Sequence, residues 1–190
     1  MKETNIVTAN GKKIDVFDDI FSFSERDKMF QRMSDAKFMV SGTDTSTNQY
    51  QVFSNFRVSD LDDIGVTYFE GFKYLNDRYD LINNQQNIKQ IRVNYTNASE
   101  KNHAHYDAFK GLTLIYYLNP KWDVTWGGHT MFFDESIDAV EFTSLYKPNR
   151  AVIFDSSIPH MILTPTCMAP IPRFSFVIQT IDSYNYNVAR

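Results

Sequence analysis

IKQIRVNYT (88–96), GLTLIYYL (111–118), GGHTMFF (127–133), AVEFTSLY (139–146), RAVIFD (150–155), HMILT (160–164) and RFSFVIQTI (173–181) are seven short runs of β-branched and aromatic residues parted by turn formers. No helical stretch lies between them. Strands in that succession pair as antiparallel neighbours, and so many of them close into a sandwich or barrel of the jelly-roll kind. The predicted fold is therefore mainly β, with a jelly-roll core over 87–182.

Upstream of residue 87 the texture changes. Ser24 precedes ERDKMFQRM, in which Met29, Phe30 and Met33 recur at helical spacing, so Ser24 is the expected N-cap of a first helix. A second helix is expected over 64–79, with Val66, Phe69, Phe72, Leu75 and Tyr79 as its apolar stripe. Such stripes need an apolar partner, and the outer face of a sheet provides one. There is no repeat, low-complexity tract or Pro/Gly-rich linker, and 190 residues suit one substantial core rather than two. We read one domain over 1–190, with helical and strand support in 1–86.

Several classes of function drop out. No stretch approaches the roughly 18 apolar residues of a membrane helix, and the start lacks the apolar run of a secretory signal, so a soluble, cytoplasmic protein without a membrane partner is expected. Cys167 is the sole cysteine, which leaves no thiolate cluster for zinc or iron–sulfur, so a metal here has to use histidine and carboxylate. A formal charge of −4 without a Lys/Arg block offers nothing to neutralise phosphates, and no nucleic-acid partner is expected.

Two of the four histidines stand in HAHYD (103–107) with a carboxylate directly after them. Residues two apart in extended chain project to one side, so His105 and Asp107 can meet one ion. His160 opens a late strand that can sit opposite HAHYD in a jelly roll. Two histidines and one carboxylate leave the remaining coordination positions open, the arrangement of non-haem iron(II) oxygenases. Arg173 stands 13 residues after His160, and a hairpin return can bring its guanidinium into the same barrel. A carboxylate received there in bidentate fashion would suit a buried arginine, and Ser175 on the same side adds a hydroxyl.

These residues resemble the 2-oxoglutarate/Fe(II)-dependent dioxygenases, most closely the prolyl 4-hydroxylase branch. The resemblance covers about 88–181 and is carried by HAHYD, by IYYLNPKWDVTWGG (115–128), by NRAVIFDSSIPH (149–160) and by RFS (173–175). It implies a double-stranded β-helix core and Fe(II) held by His105, Asp107 and His160. It further implies 2-oxoglutarate and O2 as cosubstrates, with ascorbate as a possible accessory. Arg173, with Ser175, would pair with the distal carboxylate of 2-oxoglutarate and Tyr117 would hydrogen-bond it, while Tyr95 would line the cosubstrate pocket near the metal. The implied reaction couples decarboxylation of 2-oxoglutarate to hydroxylation of an unactivated C–H bond. A prolyl residue in a peptide or protein is the expected substrate, with a free amino acid or other small molecule as the alternative. The stretch between His160 and Arg173 is longer than in the oxygen-sensing members. His103 and His129 fall outside the pattern. Residues 41–56 read either as a lid or as a surface hairpin, and Trp122 and Trp126 either as an aromatic rim or as packing under the turn. The competing readings are a jelly-roll binding protein without catalysis, and a cupin-like protein using His103, His105 and His160 around another metal. The oligomeric state is not legible.

Overall fold

The computed structural model describes residues 1–44, 49–98, 102–107 and 110–181. All seven expected strands form: β5 (Ile88–Thr96), β6 (Leu112–Tyr117), β7 (Thr130–Phe133), β8 (Val140–Ser144), β9 (Arg150–Asp155), β10 (His160–Ile162) and β11 (Arg173–Thr180). The N-terminal half adds β1 (Lys2–Val7), β2 (Lys13–Asp18), β3 (Met39–Asp44) and β4 (Gln49–Phe56), with helices α1 (Phe23–Ser34), α2 (Val58–Ile64) and α3 (Glu70–Tyr79). An eight-stranded sheet runs β1-β2-β9-β6-β11-β5-β4-β3 and a three-stranded sheet runs β10-β7-β8, the antiparallel arrangement of a jelly-roll oxygenase fold.

The large sheet is buried on both faces, which the alternation of its central strand explains. Phe174, Phe176 and Ile178 of β11 point to the face covered by the helices, where Met29, Met33, Phe72 and Leu75 join them in one core. Val177 points to the other face, with Ile115, Tyr117, Val152 and Phe154, and there meets Phe132 from the small sheet in a second core. Arg173, Ser175 and Gln179 share that inner face by the period-2 rule. A buried arginine on a barrel wall is costly unless the site uses it.

Two helix boundaries differ from the sequence reading. The N-cap of α1 is Ser22, not Ser24. Glu25 stands three residues after Ser22, so the Ser22 hydroxyl accepts from Glu25 N while Ser22 N donates to the Glu25 carboxylate at 2.7 Å, a reciprocal pair. The helix expected over 64–79 begins only at Glu70, as α3, and Ile64 instead ends the separate helix α2. Gly65 adopts φ +89° and closes α2 through bonds to Leu61 O and Asp62 O, then a 3-10 turn (Val66–Tyr68) leads into α3. The apolar stripe survives the break, because Val66, Phe69, Phe72, Leu75 and Tyr79 are all buried.

Residues 41–56 fall on the hairpin of β3 and β4 at one edge of the large sheet, β4 pairing with β5; positions 45–48 lie outside the described residues. No helix among the described residues is long and apolar enough to cross a membrane.

Candidate active site

His105, Asp107 and His160 come together from two elements. The 102–107 segment bridges to β10, His105 N donating to His160 O (3.0 Å) and His160 N to His105 O (2.9 Å). That bridge sets the two imidazoles side by side, with ring centroids 4.6 Å apart. Asp107 N donates to Ser156 O at 3.1 Å, which ties the Asp107 backbone to the turn after β9. Nε2 of His105 lies 3.8 Å and Nε2 of His160 3.7 Å from the two oxygens of Asp107. One donor atom from each residue falls within 4.8 Å of the others.

The imidazoles are set for metal binding by what their other nitrogens do. Nδ1 of His105 is 3.0 Å from the His103 carbonyl and Nδ1 of His160 is 3.0 Å from the Ile158 carbonyl. A carbonyl only accepts, so each Nδ1 carries the proton and each Nε2 offers its lone pair toward Asp107. Burial holds His160 below the ordinary imidazole value, opposed by Asp107 and aided by His105, which favours the neutral form that binds a metal. Asp107 in turn accepts from the Thr113 hydroxyl at 2.7 Å, and Thr113 sits 2.9 Å from the Ser156 hydroxyl. Thr113 and Ser156 went unnamed in the sequence reading, since hydroxyls on different strands carry no spacing signal.

Two neutral nitrogens and one carboxylate, gathered on one side, fit a divalent first-row metal such as Fe(II) with positions left open. The three-histidine alternative finds no support. His103 contributes its backbone carbonyl, and its imidazole is not part of the donor group among the described residues.

A cavity of about 430 Å³ opens beside these donors. Its floor is the inner face of the large sheet, through Thr113, Ile115, Val177, Gln179, Arg92 and Asn94, and its rim includes Gln51, His103 and Tyr106. Arg173, Ser175 and Tyr117 lie on the same sheet face but do not line the cavity, whose wall ends at Thr96, Ile115, Ile162 and Val177. Arg173 is fully buried; its Nε donates to Gly128 O (2.8 Å) and its Nη1 to Ser175 Oγ (2.9 Å), and the guanidinium lies over the rings of Tyr117 and Tyr146. Gly128 has φ +76°, and a Cβ there would come within 3.1 Å of Arg173 Cδ, so a glycine is needed to seat the arginine. The Tyr117 hydroxyl reaches Thr130 Oγ1 (3.0 Å) and the Ser144 carbonyl (3.2 Å).

Tyr95 contributes to the lining, but its ring packs edge-on to Phe174 and near Phe38, on the helix side of the sheet. The side chains that β5 sends to the inner face are Arg92, Asn94 and Thr96, paired with Val177, Ser175 and Arg173. Trp122 donates from Nε1 to Gly127 O and packs on Trp126 and Tyr146, and neither tryptophan lines the cavity. His129 accepts from Tyr146 N; burial, helped by Arg173, holds its pKa down and keeps it neutral. Its role is in the packing.

Jelly-roll strands with a facial two-histidine, one-carboxylate donor set define the class of non-haem iron oxygenases. Residues 91–178, which contain the donors and Arg173, match the family model of the 2OG-Fe(II) oxygenase superfamily. Those residues, 88 of the 190, together with the donor set, support an enzyme of that class that takes Fe(II), 2-oxoglutarate and O2. In fold it is prolyl 4-hydroxylase-like. A prolyl hydroxylase from Trichoplax adhaerens, in complex with a hypoxia inducible factor oxygen degradation domain peptide fragment, superposes with a TM-score of 0.62 at 16% identity over 89% of this chain and 83% of that one. The viral collagen prolyl hydroxylase of Paramecium Bursaria Chlorella virus-1 gives 0.57 at 14% over 95% and 96%. The non-heme alpha ketoglutarate dependent epimerase SnoN from nogalamycin biosynthesis gives 0.58 at 10% over 89% and 78%. No curated protein matches the chain in sequence.

Proposed function

We propose that the protein hydroxylates a prolyl residue within a peptide or protein, and that His105, Asp107 and His160 hold the iron for this reaction. The observation that carries the peptide reading is the openness of the donor site: the His105 side chain is half exposed and Tyr106 beside it is 49% exposed. A polypeptide has to enter and leave on both sides of the reacting ring, and an exposed rim permits that. The likeness in fold to two prolyl hydroxylases agrees with it.

Fe(II) with 2-oxoglutarate and O2 supplies the decarboxylation-coupled oxidation of an unactivated C–H bond. The chain binds and orients. Asp107 is aimed by the Thr113 hydrogen bond, and the two imidazoles set their Nδ1 atoms on carbonyls and so turn Nε2 to the metal. Arg173, with Ser175 and Tyr117, takes the distal carboxylate of 2-oxoglutarate; a guanidinium buried on the inner face suits a charge-assisted, bidentate partner. Ile115, Ile162 and Val177 give the cavity an apolar wall on the side toward Arg173.

The test measures succinate formed with a proline-containing peptide, with the same peptide carrying alanine for proline, and with free proline, each corrected for turnover without substrate. Stimulation by the proline peptide alone is expected. Stimulation by free proline and by no peptide would remove the peptide reading and leave the metal site untouched.

A further inference from the structure

The inner face of the large sheet carries two arginines on neighbouring strands, β5 and β11, and the resemblance uses only one. The registers of β5, β11 and β6 set out the rows: Gln90, Gln179 and Thr113; then Arg92, Val177 and Ile115; then Asn94, Ser175 and Tyr117; then Thr96 and Arg173. Thr113 bonds the metal donor Asp107, so the first row marks the metal. Arg92 lies one row from it. The Cα of Arg173 lies two rows further, about 13 Å along at roughly 3.3 Å per residue, but its head turns back to Ser175, the row at which the Arg92 head lies over Phe53.

Arg92 lines the cavity and is poised for an anion it does not have. Its Nη1 donates to Gln51 Oε1 at 3.3 Å, and its guanidinium lies over Phe53 with 5.6 Å to the ring centroid. Both contacts come from β4, and they hold the head in place without neutralising it. Its Nε is buried with no hydrogen-bond partner among the described residues. Among the described residues the carboxylate acting on it is that of Asp107, and a bound metal ion would claim that charge. A half-buried guanidinium whose buried Nε lacks a partner among the described residues is costly, and a carboxylate arriving with the substrate would relieve the cost.

We propose that Arg92 receives a carboxylate of the substrate to be oxidised, so that the enzyme acts on a residue with a carboxylate close to the reacting carbon. Two sources supply that chemistry: an acidic side chain beside the target residue of a peptide, or the α-carboxylate of a free amino acid. The inference rests on the hydroxylase reading of the cavity. It assigns Arg173, which bonds Ser175, to the cosubstrate and Arg92, which lines the cavity, to the substrate.

The test is calorimetric binding to the Mn(II)-loaded protein saturated with 2-oxoglutarate. The probes are acetyl-Ala-Xaa-Yaa-amide peptides with Pro or Ala as Xaa and Asp or Asn as Yaa, together with free proline and prolinamide. The Asp/Asn contrast reads Arg92 and the Pro/Ala contrast reads the prolyl reading, so either can fail alone. The carboxylate member of at least one pair should bind about tenfold or more tighter, and the pair that shows it names the source. Arg92→Gln should erase that preference and leave the affinity for 2-oxoglutarate within about twofold, while Arg173→Ala should do the reverse. The proposal is overturned if the parent shows no preference in any pair, including no binding at all. Retention of the preference in Arg92→Gln, or loss of 2-oxoglutarate affinity there instead, would equally overturn it.

Discussion

A carboxylate that is to hold a divalent ion has to be ionised and aimed, and Asp107 is aimed by Thr113. The threonine hydroxyl is buried, bonds Asp107 Oδ2 at 2.7 Å and is itself 2.9 Å from Ser156 Oγ. Thr113→Val keeps the shape and removes the bond, so metal affinity should fall roughly 10–100-fold with turnover at saturating metal largely kept. Competitive metal titration against a chelator, beside rates at excess Fe(II), checks this; unchanged affinity would mean that Asp107 needs no such support. The donors themselves are legible in the sequence because the i, i+2 projection of His105 and Asp107 is a local property. Thr113 and Ser156 are not legible, since they meet Asp107 only through the pairing of β6 with β9 and the turn after it. Arg92 is half legible. Ile91, Val93 and Tyr95 alternate with Arg92, Asn94 and Thr96, which assigns two faces but leaves open whether the polar one meets solvent or a cavity. The buried core on the helix side takes Tyr95, and the spacing carried over from the family does not fix the direction of its ring.

Strand β2 fastens the N-terminal half to the jelly roll, and its end is an ion pair. Asp18 faces Arg150 across the β2–β9 register and accepts from its Nε at 2.6 Å and Nη2 at 3.0 Å, with Lys147 Nζ at 3.0 Å. Burial raises the Asp18 pKa, and the hydrogen bonds from Arg150 and Lys147 outweigh it, leaving the carboxyl below its ordinary value of 3.8. A depressed carboxylate stabilises the fold above its unfolded value and loses that contribution as pH falls through its folded one. Asp18→Asn should therefore cost about 1–3 kcal/mol at pH 7, and the difference between parent and variant should shrink as pH falls below about 4 toward the folded value. Urea unfolding at pH 7 and pH 3 measures both; an undiminished difference in acid would assign the loss to packing rather than charge. This pair joins residues 132 apart in sequence, so no local pattern announces it. The helices show the opposite case. Their apolar stripes are read correctly from periodicity, whereas the break at Gly65 and the start at Ser22 depend on a left-handed glycine and on an acid three residues past the cap.

The metal donors belong to both sides of the molecule, and that makes metal binding part of its stability. His160 opens β10 in the small sheet, while Asp107 is tied through Thr113 to β6 of the large one. A ligand that binds the folded protein alone stabilises it by about 2.7 kcal/mol at a hundred times its Kd. For a chain of this size each kcal/mol moves Tm by roughly 2–4 °C, so saturating Mn(II) or anaerobic Fe(II) should raise Tm by about 5–11 °C. Asp107→Ala and His160→Ala should lose the rise, and His103→Ala should keep it, because His103 supplies only its carbonyl. The rise should also shrink in acid, where protons compete with the metal for its ligands. Differential scanning calorimetry with and without metal decides the matter. A rise of equal size in Asp107→Ala would place the ion elsewhere and sink the donor assignment. A parent that fails to respond at any metal concentration would show that the two sheets are not joined through this site.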